Sequence, residues 1–433
     1  MARRAPNAGV YAVSGNIMLK DKTIVICVTG GIAAYKACDL ASKLVQAGAN
    51  VHVIMTRNAA EFVGPLTLRA LTGNPVVRSL FDEIREFEIG HVSLSEKTDC
   101  LVVAPATLNI IGKVAQGIAD DAVSTIISAA KSPVIFAPAM HTSMWNNPIT
   151  QANVARLKEL GYRFVGPDRG WLASGGWGIG RLAPSQEIMY HIETVIAGRG
   201  TDLTGYKVVV TSGPTREPID PVRFLSNPST GRMGHAVARA AVARGAETRL
   251  ISGPTSLPPP SGVEYVAVNT AVQMFRAVMD AAADADLYVG AAAVADYAPK
   301  NASAVKVKKN DASMAHVELE KTPDIIASLA ARRCESGDHP LVLVGFAAET
   351  DNMVEHARAK LVEKGLDLMV ANDVTQPGAG FAVDTNVVTL VRKDGKPTAL
   401  PKMAKREVAD RVLDEALALL RQAGGGSTQP ASD

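Results

Sequence analysis

Apolar runs and helical repeats alternate along the first half of the chain. The run TIVICVTGG at residues 23–31 is rich in β-branched side chains and ends in paired glycines, which predicts a strand followed by a tight turn. Residues 32–48 carry apolar side chains at helical spacing, and NVHVIMT at 50–56 returns to a strand pattern. Apolar strands at 99–107 and 132–140 flank another helical stretch. This alternation predicts a parallel sheet covered by helices on both faces.

A second series of the same kind follows the polar stretch GRGTDLT at 198–204, which has the composition of a linker. YKVVVTSGPT at 206–215 predicts a strand and turn, and a helix and several strands follow it. Asp394 and Gly395 form a turn pair for a hairpin, and a last helix is predicted at 402–420. We expect α/β domains at 20–197 and 205–420, joined by the linker, and a disordered tail at 421–433.

Composition excludes several classes of protein. The 433 residues carry 45 basic and 43 acidic side chains, a net charge of +2, so we expect no nucleic-acid partner. The four cysteines form no CxxC pair, which fits a reducing compartment and gives no support for structural zinc. No apolar run reaches the length of a membrane span, and the first residues lack the apolar core of a secretory signal. The expected location is the cytoplasm, away from membranes.

Small and polar residues stand where the predicted strands end, which is where open α/β sheets bind ligands. The chain has neither GxxxxGK[ST] nor a GxGxxG that opens a helix, so a bound phosphate needs another loop. Gly30 and Gly31, with Ile32 and Ala33, allow close approach to free backbone N–H groups at a helix start. A tight turn without a ligand explains the same glycines.

Four motifs appear in order in the first half: TGGIAAYK at 29–36, GHVSL at 90–94, APATLNIIGKVAQGIADD at 104–121 and PAMHTSMW at 138–145. Together they resemble the flavin-dependent cysteine decarboxylase family. The resemblance implies a Rossmann-like, flavodoxin-like flavoprotein domain that binds FMN, with His91 as a base or orienting group. A histidine satisfied within its loop is the alternative for His91, and helix capping is the alternative for Thr107 and Asn109. The implied FMN-binding residues are Gly30, Gly31, Ile32, Ala33, Thr56, Ala106, Thr107 and Asn109.

Two positions depart from that family's pattern. His141, after Met140 in the implied substrate site, stands where the family has an asparagine that donates hydrogen bonds to the substrate carboxylate. Ser174, in the lid segment GWLASGGWGIGRL at 170–182, stands where the family has a cysteine proton donor. A hydroxyl is a far weaker acid than a thiol, so either the reductive step uses another acid or this step is impaired.

The second half contains TSGPTREPIDPVRFLSNPSTGRMG at 211–234, AAAVADY at 291–297, KVKK at 306–309, KTPDII at 321–326 and GFAAET at 345–350. These motifs resemble the phosphopantothenate–cysteine ligase family, which implies CTP as co-substrate and Mg²⁺ as its metal, with metal ligands unknown. The resemblance implies catalytic roles for Asn227 and Lys306, although Asn227 also suits a helix cap and the lysines suit a solvated face. The implied substrate-binding residues are Arg223, Asp296, Pro323, Asp324, Ile325, Ile326, Phe346, Lys360 and Lys364.

The fused order of the two halves is similar to that of bifunctional bacterial enzymes of coenzyme A synthesis. It implies CTP-dependent ligation of 4′-phosphopantothenate with cysteine, followed by FMN-dependent decarboxylation to 4′-phosphopantetheine. The alternatives are a decarboxylase half that is impaired, that stops at oxidative decarboxylation, or that serves only as a scaffold. The resemblance also implies a homo-oligomer, because trimeric flavin contacts combined with dimeric ligase contacts close into a dodecamer.

Overall fold

The computed structural model describes residues 19–79, 94, 97–308, 316–336, 341–349, 352–373, 383–393 and 395–423. The chain divides between Gly200 and Thr201 into two compact units. This division falls inside the segment 198–204 that the sequence marks as a linker. In the described parts of the chain, no helix is long and apolar enough to cross a membrane.

The first unit is built on a parallel sheet whose strands follow the order β3-β2-β1-β4-β5-β6 in the described residues. A separate antiparallel hairpin joins β7 to β8. The strands are β1 (Thr23–Val28), β2 (Asn50–Met55), β3 (Val76–Val77), β4 (Cys100–Ala106), β5 (Val134–Pro138), β6 (Arg163–Phe164), β7 (Asp168–Trp171) and β8 (Trp177–Arg181). The helices are Lys36–Gln46, Pro65–Thr72, Leu108–Ala115, Ala122–Ala129, Thr142–Trp145, Pro148–Glu159 and Ser185–Ile196, with 3₁₀ turns at Ile32–Tyr35 and Arg57–Glu61.

Hydrophobic cores lie on both faces of this sheet because its central strands are apolar on both sides. Ile24 and Ile26 of β1 pack into one core and Val25 and Cys27 into the other. Such continuous apolar strands are typical of parallel sheets covered on both faces. This is the strand order of the Rossmann fold, whose crevice opens where β1 and β4 run side by side at their carboxyl ends.

The second unit repeats this arrangement and extends it. Its parallel strands follow the order β13-β12-β9-β14-β17-β18, and the antiparallel strands β20 and β21 continue the sheet. The strands of the unit are β9 (Lys207–Ser212), β10 (Arg216–Pro218), β11 (Phe224–Ser226), β12 (Glu247–Ser252), β13 (Glu264–Ala267), β14 (Leu287–Gly290), β15 (Tyr297–Pro299), β16 (Leu319–Lys321), β17 (Val342–Glu349), β18 (Leu368–Asp373), β19 (Thr385–Asn386), β20 (Val388–Arg392), β21 (Thr398–Ala399) and β22 (Met403–Ala404). The helices are Arg232–Ala243, Ala271–Ala281, Ile325–Ser336, Met353–Glu363 and Lys405–Ala423.

The two parallel sheets confirm the α/β class with two Rossmann-like halves. The predicted hairpin near the C-terminus is present as β20 and β21, although Asp394 of its turn lies outside the described residues. The last helix continues to Ala423, three residues into the segment predicted as a disordered tail, and residues 424–433 lie outside the described residues. Buried Leu420 and a hydrogen bond from Arg392 to Gln422 account for this continuation.

A buried arginine fixes the beginning of the second unit. The Arg244 side chain is 1% exposed and donates two hydrogen bonds to the Asp202 carboxylate, at 3.0 and 2.6 Å. Its Nη1 also donates to the Asp410 carbonyl at 3.1 Å and lies 2.9 Å from Asp414. Leu203 is fully buried beside it. Residues 202 and 203 of the predicted linker therefore pack as part of the second unit.

Candidate active sites

The first candidate site is a cleft of about 530 Å³ at the carboxyl ends of β1, β4 and β5. Thr29 follows β1 and lies at the base of this crevice, where its side chain forms hydrogen bonds with the loop after β4. Its Oγ1 donates to the Pro105 carbonyl and accepts from the backbone N–H of Thr107 at 3.2 Å. The Thr107 side chain makes no helix-capping bond and instead lies 3.2 Å from the Thr29 hydroxyl. The Thr107 side chain therefore does not cap the helix, and the capping alternative is wrong for this residue.

The two glycines of the first turn have different reasons to lack a side chain. A Cβ on Gly30 would overlap with the Cβ of Asn58, so this glycine is required by packing within the protein. A Cβ on Gly31 would meet only the Thr107 methyl group, at an ordinary 3.5 Å, and Gly31 has an extended backbone. Because Gly31 lines the cleft, a side chain there would project into ligand space. The missing side chain of Gly31 therefore leaves space for a bound group, whereas that of Gly30 is required by packing within the protein.

The hairpin β7–β8 forms one wall of the cleft and carries Ser174 in its turn. It is fixed to the segment after β5: the Met140 N–H donates to the Gly180 carbonyl at 3.0 Å, and Thr142 Oγ1 donates to the Ile179 carbonyl at 2.7 Å. Gly180 has φ of +139°, and a Cβ there would overlap with the Met140 carbonyl oxygen. This wall therefore depends on close backbone contact that only glycine allows.

His141 lines the cleft and caps the short helix Thr142–Trp145. Its Nδ1 accepts from the backbone N–H of Ser143 at 3.2 Å, and the Ser143 hydroxyl is 2.8 Å away. Because a backbone N–H can only donate, Nδ1 must be unprotonated in this arrangement. The neutral ring then carries its proton on Nε2, which is a donor like the amide of the asparagine it replaces.

The structure adds residues to this cleft that the motif analysis missed. Lys36 and Arg181 both line it, as do Tyr35, Met144 and Trp171. Burial lowers the pKa of Lys36, and Arg181 lowers it further while Asp168 opposes the change. Lys36 is the last residue of the quoted TGGIAAYK motif and follows the 3₁₀ turn Ile32–Tyr35, so its place in the motif was a usable signal. Arg181 lay in the quoted lid segment.

Several predicted FMN-binding residues do not line the cleft. Thr56 caps the turn Arg57–Glu61 by accepting from the Ala59 N–H at 3.2 Å, Ala106 is fully buried within β4, and Asn109 lies on the exposed side of its helix. His91 lies outside the described residues. The predicted residues that the cleft does bring together are Gly30, Gly31, Ile32, Ala33, Thr107, Met140, His141 and Ser174.

The second candidate site is a smaller cleft of about 170 Å³ at the carboxyl ends of β14, β17 and β18. The N-terminus of the helix Arg232–Ala243 opens into it through Ser229, Thr230 and Gly231. Gly231 has φ of +76°, and a Cβ there would meet the Thr255 methyl group at 2.7 Å, so glycine is required at this turn. The helix dipole favours an anion at such a terminus.

Lys405 and Asn386 also line this cleft, although neither belongs to a quoted motif. Lys405 is 7% exposed, and burial lowers its pKa, with Arg232 lowering it further and Asp384 opposing. Asn386 is 3% exposed, and its Oδ1 has no hydrogen-bond partner in the described part of the structure. The cleft thus combines a buried cation and a helix N-terminus, which suit an anionic group, with a buried amide oxygen, which suits a hydrogen-bond donor of the same ligand.

Two predicted ligase residues lie at or beside this cleft. Phe346 lines it directly. The amide of Asn227 donates to the carbonyls of Ala293 and Val294, at 3.4 and 3.2 Å, so it adjoins the cleft lining at Ala293. The helix that follows has Gly231 at its N-cap position, without a side-chain cap. The capping alternative for Asn227 is therefore excluded.

The other predicted ligase residues lie outside the cleft lining. Lys306 is exposed, and Arg223 bonds to Asp220 and to the Val307 carbonyl. Asp324 caps the helix Ile325–Ser336 by accepting from Ala327 and forms an ion pair with Lys364 at 3.2 Å. Lys360 and Asp296 are exposed, Pro323 and Ile326 are half-buried, and Ile325 belongs to the core. Within the described segments no three metal-ligating side chains cluster.

Two family models match the chain, one for each unit. Residues 13–197 match the model described as Flavoprotein, and residues 203–420 match the model described as DNA/pantothenate metabolism flavoprotein C-terminal domain. The chain therefore combines a flavoprotein half with a half from pantothenate metabolism. This is the class of protein that the two clefts and the two sheets define.

Full-length relatives narrow the class further. The coenzyme A biosynthesis bifunctional protein CoaBC of Bacillus subtilis (strain 168) is 47% identical over 409 residues, covering 94% of this chain and 99% of that protein. The CoaBC of Escherichia coli (strain K12) is 42% identical over 403 residues, covering 92% and 97%. A crystal structure of the C-terminal domain of a CoaBC is 43% identical and covers 51% of this chain and 100% of that chain, with a TM-score of 0.43. The chain belongs to the CoaBC family of bifunctional enzymes of coenzyme A biosynthesis. This confirms the resemblance drawn from the motifs.

Proposed function

We propose that the C-terminal unit joins 4′-phosphopantothenate to cysteine, using CTP with Mg²⁺ through an acyl-cytidylate, and that the N-terminal unit decarboxylates the product to 4′-phosphopantetheine with FMN. Family membership supports both halves in outline. The single observation that carries the nucleotide assignment is the pairing of buried Lys405 with the N-terminus of the helix Arg232–Ala243 in one cleft.

The first cleft fits FMN by its size and by its glycine turn. Its volume is within the range of small-molecule sites, and Gly31 leaves room that the protein does not itself fill. FMN, when bound, supplies the two-electron chemistry that makes loss of the cysteinyl carboxylate feasible. Gly30, Gly31, Ile32, Ala33 and Thr107 would hold it.

The chain's own residues would bind and orient the substrate in this cleft. The Nε2–H of His141 would donate to the carboxylate, and Lys36 and Arg181 place positive charge in the same cleft for anionic groups. The hairpin carrying Ser174 would exclude water from the reacting carbon. His91 would act as a base or orienting group, as predicted from its motif.

In the second cleft the nucleotide phosphates would lie over the helix N-terminus and beside Lys405, with Phe346 against the nucleotide. Lys306 would contact the α-phosphate, and Asn227, beside the loop at 293–294, would serve the transfer of the acyl group. Asp296 would contact the ribose or base of the nucleotide, Lys360 and Lys364 would reach a common anion, and Arg223 with the residues 323–326 would contact the substrate.

The decisive experiment supplies 4′-phosphopantothenate, cysteine, CTP and Mg²⁺ to the purified chain and identifies the products by mass. We expect 4′-phosphopantetheine, pyrophosphate and a visible flavin spectrum with about one FMN per chain. Lys306→Ala should block pyrophosphate release, whereas Asn227→Ala should release pyrophosphate without passing the acyl group to cysteine. Loss of the same partial reaction in both variants would contradict this division of roles.

Ser174 in the turn of the hairpin favours one second candidate: decarboxylation that stops at the oxidised ene-thiol product. A serine hydroxyl is a poor proton donor for the reductive step. Accumulation of the ene-thiol in the wild-type reaction, relieved in Ser174→Cys, would select this candidate. Complete turnover in the wild type would assign the proton to another donor.

The assembly and location are part of the same proposal. We propose a homo-oligomer in the cytoplasm, a dodecamer built from trimeric and dimeric contacts, acting on small molecules without nucleic-acid or membrane partners. Light scattering of the purified chain measures the molar mass directly. A monomer at working concentration would contradict the assembly without affecting the two reactions.

A further inference from the structure

The loop between β10 and β11 contains a fully buried carboxylate that the motif analysis did not use. The Asp220 side chain is 0% exposed. Its Oδ1 accepts from the backbone N–H groups of Val222 and Arg223, each at 2.8 Å, and its Oδ2 accepts from Arg223 Nε at 3.0 Å. These bonds keep the carboxylate charged and hold the pKa of Asp220 well below its usual range, chiefly because of Arg223. These bonds fix the loop in one conformation, and we call the Asp220–Arg223 ion pair its anchor.

This anchor reaches a distant segment of the chain. Asp220 Oδ2 also accepts from the backbone N–H of Val307 at 3.2 Å, while Arg223 Nη2 donates to the Val307 carbonyl at 2.8 Å. The Asp220–Arg223 pair thus holds both backbone polar groups of Val307. A third bond, from the Ser303 N–H to the Ile219 carbonyl at 2.9 Å, ties the same two segments together.

Val307 lies between Lys306 and Lys308, whose side chains are exposed. A long lysine side chain loses much rotamer freedom when it binds an anion, so a fixed backbone reduces the remaining cost of placing its ammonium group. We propose that Asp220 is a positioning residue for the ligase reaction, which acts through Val307 to hold Lys306 at the nucleotide. This inference rests on the proposed role of Lys306.

Asp220→Asn is the selective test, because the amide keeps one acceptor oxygen but places an N–H₂ group among donors. In the full chain, we expect Asp220→Asn to weaken CTP binding about tenfold in titration calorimetry, because hydrogen bonds to a charged group are stronger than those between neutral groups. In the Lys306→Ala background the same change should cost less than about twofold. Trypsin should also cleave after Lys306 faster in Asp220→Asn, because the segment opens more often.

Asp284→Asn is the matched control, because Asp284 pairs with Lys207 at the surface and holds no lysine segment. It should leave CTP binding and cleavage after Lys306 unchanged. The inference would be overturned if Asp220→Asn lost the same CTP affinity in the wild type and in the Lys306→Ala background. It would also be overturned if Lys306→Ala bound CTP weakly while Asp220→Asn bound CTP like the wild type. If Lys306→Ala binds CTP like the wild type, the proposed role of Lys306 is wrong and the inference falls with it. Should Asp220→Asn fail to fold, Arg223→Gln removes the bond to the Val307 carbonyl and is judged by the same cycle.

Discussion

The two units share one strand order and differ in the loops above it. In each, a threonine near the carboxyl end of the first strand has a hydroxyl that accepts from a backbone N–H after the neighbouring strand. Thr29 accepts from Thr107 at 3.2 Å, and Thr211 accepts from Ala292 at 3.3 Å. The shared order and the shared threonine bond extend the likeness to the crevice itself.

The two clefts share the strand order and the threonine bond but differ in volume and in the elements that line them. The first cleft is about 530 Å³ and is walled by a hairpin, whereas the second is about 170 Å³ and ends at a helix N-terminus beside buried Lys405. The first therefore has room for a larger ligand between the sheet and the hairpin, and the second presents positive charge to a smaller anionic group. Sheet order determines where a ligand binds, and the loops determine which ligand it is.

The strongest test of the hairpin wall is Gly180→Ala. The new Cβ would overlap with the Met140 carbonyl oxygen at a left-handed φ, so the hairpin must move away from the cleft. We expect decarboxylation to fall at least about 100-fold, because small displacements of a positioning element have effects of that size. Release of CO₂ from 4′-phosphopantothenoylcysteine measures it. Gly176→Ala, with nothing within 4 Å of its Cβ, is the control.

The cationic character of the second cleft is tested by Lys405→Met. Lys405 lines this cleft, and the proposed function places its ammonium group beside the CTP phosphates, so its removal should weaken CTP binding about 30-fold while decarboxylation stays unchanged. Titration calorimetry with CTP measures the change, and Lys402→Met at an exposed position is the control. CTP affinity that survives Lys405→Met would place the phosphates elsewhere in the unit.

The two glycines of the first turn separate packing from ligand binding. Gly31→Ala should leave thermal stability unchanged but weaken FMN binding about tenfold, because its Cβ would touch the protein only at the Thr107 methyl group, at an ordinary 3.5 Å, and would take up space in the cleft. Gly30→Ala should lower Tm instead, because its Cβ overlaps with Asn58. Equilibrium dialysis with FMN and thermal melts of the FMN-free chain measure the two effects. If both variants melt like the wild type, the steric argument for Gly30 is wrong.

The smallest expected effect is a pH dependence confined to the second unit. Buried His235 bonds through Nδ1 to the Gly231 carbonyl, and its Nε2 has no hydrogen-bond partner among the described atoms. Burial lowers the pKa of His235, so the folded state favours the neutral ring. As pH falls below about 6.5, the unfolded chain takes up a proton that the folded chain resists, and stability is lost.

We therefore expect the Tm of the second unit to drop by a few degrees between pH 7.5 and pH 5.5. His235→Phe should reduce that drop, because a phenyl ring does not titrate. His316→Phe, at an exposed position, should leave the drop unchanged. An identical pH profile in wild type and His235→Phe would exclude this histidine as the cause.

The strand ends, the glycine turns and most of the first cleft could be predicted from the sequence. They lie in short, continuous motifs whose spacing is fixed by βαβ geometry, so Gly31, His141 and Ser174 all reach one cleft. Thr56 and Asn109 were expected there but do not line it, because a motif gives the position along the chain and not the direction of a side chain. Thr56 is used by its own turn.

The second cleft was less predictable. Lys405 and Asn386 enter it from the C-terminal part of the chain, far from the motifs that define the nucleotide loop. Their burial depends on how β19 pairs with β22 and on how the last helix packs against Arg232–Ala243, which local patterns do not encode. The contact of Asp220 could not be predicted for the same reason, since its hydrogen-bond partner Val307 is 87 residues away.

The buried Arg244 cluster determines where the chain can be cut to study the ligase half alone. A fragment that begins at 205 would lose the carboxylate of Asp202 and leave Arg244, which is 1% exposed, with one of its acidic partners gone. Removing one member of a buried ion pair typically costs about 3–5 kcal/mol, a large share of a domain's stability. A fragment that begins at 201 keeps Asp202 and buried Leu203. A ligase fragment that keeps residues 201–204 is therefore expected to be more stable than one that begins at 205.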